Sequence, residues 1–114
     1  IAMEGSFDPD CRRCMPWDEI GSEENQEKIG FMKQLIRMRR TEETCRSLHF
    51  HFPNRYSDRR CVEYIKIDSE NRRLEVVLNC SGDAMDVGEN GEIIFSRNYD
   101  RGILGKNGTL IRRK

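Results

Sequence analysis

"RLEVVLNCSGDAMDVGENGEIIFS", residues 73 to 96, decides the fold class. Its apolar runs, Leu74 to Leu78, Met85 with Val87, and Ile93 to Phe95, are too short for helices. They are broken at brief intervals by Ser81-Gly82-Asp83 and by Gly88-Glu89-Asn90-Gly91, the spacing of short strands joined by turns. Outward from this stretch the pattern continues. "SLHFHF" (47–52) and "CVEYIKI" (61–67) lie upstream and "TLIRR" (109–113) downstream, linked by "PNRYSD", "DSEN" and "NYDRGILGKNG". Asn90-Gly91 and Asn107-Gly108 have the residue types that tight hairpin turns require. The expected fold is mainly β, an antiparallel Greek-key β-sandwich over residues 44–114.

Before Thr44 the period changes to that of a helix. Ile29, Met32, Leu35, Ile36 and Arg39 recur at helical spacing, with Phe31 and Met38 widening the stripe. Glu23, Glu24 and Glu27 precede Arg37, Arg39 and Arg40, the polarity that suits a helix dipole. Ser22 or Asn25 can cap the start. This predicts one amphipathic helix from about 22 to 42, its Met and Phe stripe serving packing rather than a ligand box. Residues 1–21 hold two of the three prolines and the only tryptophan without apolar periodicity, and are expected to form an irregular loop.

Composition excludes several classes. The chain has 114 residues, room for one ordinary domain. Its 20 basic and 20 acidic side chains balance, so no global field draws it to nucleic acid or an anionic membrane. No apolar run reaches the roughly 20 residues that span a bilayer, and "IAMEGSFDPD" lacks a signal peptide's regions. A cytoplasmic location is expected. The chain begins without Met and in mid-phrase, as a piece of a longer protein would.

Five cysteines, Cys11, Cys14, Cys45, Cys61 and Cys80, form no even framework, and reduced thiols are expected. Cys11 and Cys14 with His49 and His51 would make a Cys2His2 zinc set, but the second cysteine pair of most structural sites is missing. A redox helix after Cys14 is opposed by Met15-Pro16. No metal or cofactor is expected.

The phrase "MEGSFDPDCRRCMPWDE", the helix "NQEKIGFMKQLIRMRR" and a strand-rich tail containing "LEVVLNCSG" together resemble the C-terminal end of α-amylase-superfamily glycosidases, in particular the neopullulanase, cyclomaltodextrinase and maltogenic amylase group. The resemblance implies that residues 1–21 are the loop after the last strand of a catalytic (β/α)8 barrel, 22–43 the barrel's last helix and 44–114 an accessory C-terminal domain. It implies that Asp8 and Arg12 hold sugar hydroxyls of an α-glucan beside the scissile bond. The catalytic carboxylates would come from earlier barrel strands, since Asp10, Asp18 and Glu19 match none of them. The implied function is that of a C-terminal fragment of a retaining α-glucan hydrolase, itself inactive. Deprived of barrel neighbours, the helix stripe would drive homo-oligomerisation. The alternative is a free-standing carbohydrate-binding or interaction module; against sugar binding, Tyr56, Tyr64 and Tyr99 stand scattered along the sequence.

Overall fold

A computed structural model describes residues 5, 7–10, 12–56 and 60–114. They divide into two units, 1–37 and 38–114.

In the first unit, a turn at residues 7–10 and a short 3-10 segment, Trp17–Gly21, lead to α1, Glu23–Thr41. The helix starts where the sequence supplies a cap. Ser22 Oγ accepts the Asn25 N–H at 3.4 Å, while the Asn25 and Gln26 side-chain amides donate back to the Glu19 and Ile20 carbonyls at 2.9 and 2.7 Å. Glu24 and Lys28 pair one turn apart at 2.6 Å. No residue of α1 is buried, and Met32 and Ile36 are half exposed. The stripe read as a packing face is therefore left uncovered over much of its length.

The second unit holds β1 (His49–His51), β2 (Cys61–Ile67), β3 (Arg73–Asn79), β4 (Met85–Asp86), β5 (Glu92–Asp100) and β6 (Ile103–Arg113). Every pairing is antiparallel, in the order β1-β2-β3-β6, with β4 beside the first residues of β6 and β5 along its length. The mainly-β fold preceded by one helix is as expected; the pairing joins all six strands in one sheet and does not by itself establish a Greek-key sandwich.

Two turn expectations are corrected. Asn107 and Gly108 lie inside β6, and the β5 to β6 turn falls at Arg101-Gly102, where φ is 42° and 84°. Asn107 does have a positive φ of 52°, but it serves an irregularity within the strand. Gly108 is required there by space: a Cβ would come within 2.7 Å of the Gly105 carbonyl oxygen. Asn90-Gly91 precedes β5 with Gly91 at φ 95°, yet β4 and β5 pair with β6 and not with each other, so it closes no hairpin between them.

Residues 74–77 of β3 are all buried, because both faces of the strand are covered. On one face Leu74 and Val76 pack with Cys45 and Ile111, and Met38 and Tyr64 join them. On the other Val77 packs with Met85, Val87, Leu104 and Leu110. That second face also buries charge. Glu75 and Arg112 are register partners on β3 and β6, with relative exposures of 0% and 1%, and form an ion pair. The Arg112 guanidinium also donates to the Val87 and Gly88 carbonyls, both at 2.8 Å. Arg55 bridges Glu75 and the buried Glu63, and Lys114 adds a contact at 3.1 Å. Burial pushes the Glu75 carboxyl up, but the bonds from Arg112, Lys114 and Arg55 outweigh it and hold it below the usual range.

Residues 42–46 clasp the helix end to the sheet by polar contacts. Arg113 donates to Glu42 at 2.6 Å, Arg72 to Glu43 at 2.7 Å and Thr44 Oγ1 to Asp68 Oδ2 at 2.7 Å. Asp68 also accepts the backbone N–H groups of Glu70 and Arg72, both at 3.0 Å, closing the β2 to β3 turn. The Thr44 hydroxyl first, then Arg72 and those N–H groups, hold the Asp68 carboxyl down at about 2.

Candidate functional site

The turn carrying Asp8 and Arg12 is built by backbone bonds. Asp10 N–H donates to the Phe7 carbonyl at 2.8 Å and Arg12 N–H to the Pro9 carbonyl at 2.9 Å, which brings residues four apart to the same side. Arg12 then meets Asp8 in a two-point contact, Nε to Oδ1 at 2.7 Å and Nη2 to Oδ2 at 2.9 Å. The side chains are 58% and 75% exposed. The two residues singled out in the sequence thus stand together as an exposed ion pair. Trp17 is 72% exposed and Phe7 91%, so neither anchors the loop by burial within the described residues.

Of the zinc and redox candidates, Cys14, His49 and His51 fall within the described residues. Cys11 lies outside the described residues. Cys14 is exposed, and His49 and His51 stand exposed on β1. Among the described residues no three His, Cys, Asp or Glu side chains gather at a metal-binding spacing. Cys45 is buried and Cys61 half-buried, and burial raises the pKa of both thiols.

A second constellation was hidden in the sequence. Pairing of β1 with β2 sets Phe52 edge-on to Tyr64, ring centroids 6.4 Å apart, and Phe50 edge-on to Phe52 at 5.7 Å. Both phenylalanines are more than half exposed. Beside them a cleft of about 230 Å³ is lined by Phe52, Asn54, Tyr56, Cys61, Val62 and Glu63. Glu63, on the cleft wall, is neutralised by Arg55, whose guanidinium also lies 5.6 Å over the Tyr56 ring. The signal available beforehand was the alternation Phe50, Phe52 with Tyr64 on the next strand, which has meaning only once the register is known.

No protein-family model matches the chain. It is 36% identical over 81 residues to a cyclomaltodextrinase of Thermoanaerobacter pseudethanolicus, covering 71% of this chain and 13% of that protein. It is 34% identical over 93 residues to neopullulanase 2 of Thermoactinomyces vulgaris, covering 76% of this chain and 14% of the relative. An intracellular maltogenic amylase of Bacillus subtilis is 43% identical over 44 residues, 39% of this chain and 7% of its own length. Among solved structures, a candidate alpha amylase from Salmonella typhimurium superposes with a TM-score of 0.67 at 17% identity, over 85% of this chain and 17% of that one. The chain therefore spans about one seventh of the cyclomaltodextrinase and neopullulanase relatives. Among the described residues no helix is long and apolar enough to cross a membrane. Over most of its length the chain belongs by sequence to the cyclomaltodextrinase, maltogenic amylase and neopullulanase group of the α-amylase family of glycosidases.

Proposed function

We propose that the chain is the C-terminal portion of a retaining α-glucan hydrolase and supplies part of one sugar subsite but no catalytic carboxylate. The observation that carries this reading is the likeness to cyclomaltodextrinase and neopullulanase, at 36% and 34% identity over more than two thirds of the chain. In this reading residues 1–21 are the loop at the mouth of a catalytic barrel, 22–43 its last helix and 44–114 an accessory β domain. Asp8 accepts from, and Arg12 donates to, the hydroxyls of a glucosyl unit. An exposed ion pair is worth only about 0–1 kcal/mol, so the two side chains part at little expense when substrate hydroxyls replace each partner. The nucleophile and the acid/base, which retaining enzymes hold about 5 Å apart, come from sequence beyond this chain. The parent works in the cytoplasm on α-glucan oligosaccharides, in keeping with the name of the intracellular Bacillus subtilis relative. Charge balance argues against a nucleic-acid partner.

The test is hydrolysis of cyclomaltodextrin, pullulan and starch by the full-length parent and by this chain alone. Reducing ends are expected from the parent only. Hydrolysis by the chain, abolished by a substitution within it, would place catalytic groups here after all. The uncovered helix stripe, with Met32 52% and Ile36 50% exposed, further supports self-association of the isolated chain through residues 22–42. Light scattering should show a dimer that becomes a monomer when residues 1–43 are removed; a monomer from the outset rejects this part.

A further inference from the structure

We infer that the cleft at the β1 to β2 edge is a binding site for a neutral α-linked glucosyl chain, built by the second unit from Phe52, Asn54, Tyr56 and Glu63. The choice of a glucan rests on the proposed function; the choice of a neutral polyol rests on the cleft. Phe52, 54% exposed and braced edge-on by Phe50 and Tyr64, offers a fixed apolar ring of the kind on which the C–H face of a pyranose packs. Glu63 would attract a cation if it were alone. It is instead tied to Arg55, whose Nε donates to Oε1 at 2.7 Å and whose backbone N–H donates to Oε2 at 3.3 Å. Among the described residues the lining therefore presents no unpaired charge, which disfavours an anion or an amine and suits hydroxyls. The Glu63 side chain is only 3% exposed, so it forms a neutralised wall of the cleft and leaves hydroxyl contacts to the rim. Asn54 adds an amide able to donate and accept at the rim. A volume of about 230 Å³ is below that of drug-sized pockets and fits one sugar unit, with the rest of the chain running over the exposed rings.

Cys61 lines the same cleft and Cys14 is exposed in the other unit, which gives the site its own reporter. Titrate this chain with maltoheptaose and with cellohexaose by calorimetry, and map alkylation of each cysteine by mass spectrometry with and without sugar. Maltoheptaose should bind and slow alkylation at Cys61 but not at Cys14. Phe52→Ala should weaken binding about tenfold, as loss of a ring contact does, and Phe52→Tyr should restore it. Absence of binding, unchanged labelling of Cys61, or indifference to Phe52→Ala would overturn the site. Equal binding of cellohexaose would overturn the α-glucan assignment. Failure of the parent to hydrolyse any α-glucan would refute the proposed function by a separate assay, leaving the titration to judge the cleft.

Discussion

The two units are held by different physics. In the first, the caps and pairs described above join residues no more than six apart, and no described residue is buried. In the second, Glu75 reaches Arg112 across 37 positions and Glu42 reaches Arg113 across 71, around cores on both faces of β3. Local bonds are enough to shape a turn and start a helix, but they contribute little net stability. The phrase containing Asp8 and Arg12 thus sits on the part of the chain with the least of its own packing. The part that is firmly packed carries chemistry that the sequence does not announce.

The sharpest way to break this contrast is to remove one partner from the buried network. Arg112→Ala takes from Glu75 its buried partner, leaving only Arg55 and Lys114, and strips the Val87 and Gly88 carbonyls of their donor, so it should destabilise the second unit by about 3 kcal/mol in denaturant titration. A loss under about 1 kcal/mol would mean that the sheet does not depend on that pair. At the opposite pole, Asp8→Ala or Arg12→Ala should lower kcat/KM of the full-length parent by the equivalent of about 1–3 kcal/mol. The same variants should leave the melting temperature unchanged within error, since the pair is exposed. A drop in melting temperature that tracks the loss of activity would instead make the pair a purely structural brace.

The contrast also explains what could be read in advance. The helix expected at about 22–42 is found at Glu23–Thr41, and the contact of Asp8 with Arg12 likewise joins residues four apart, because spacing of three or four residues is a local signal. The strands Cys61–Ile67 and Arg73–Asn79 were legible from alternation and from the Asp68 turn. Asn107-Gly108 misled because a positive φ serves an irregular strand as well as a turn, and only the packing of Gly108 against Leu104 and Gly105 tells them apart. The aromatic group of Phe50, Phe52 and Tyr64 was illegible because it exists only through the register His51 to Ile65.

The smallest expected effect concerns acid. The Asp68 carboxyl is held at about 2, below its ordinary value near 3.8, so the folded chain binds its proton less readily than the unfolded chain does. Its contribution to stability is therefore full above about pH 4 and is lost as pH falls toward 2. Asp68→Asn should flatten stability against pH across that window and change little of the profile above it, as followed by urea titration at stepped pH. An unchanged slope would assign the acid sensitivity to other carboxylates.

The two rims of the sheet have a bearing on how the chain behaves in a crowd of its own copies. A long, straight outer strand is a template for fibril growth, since its backbone groups can recruit another chain. Here β1 offers only three residues, and β5, which pairs with β6 alone, is interrupted by register shifts between Ile93 and Phe95 and between Arg97 and Tyr99. Shortness protects one rim and bulges the other, so any association of this chain is channelled away from strand addition and toward its side-chain surfaces.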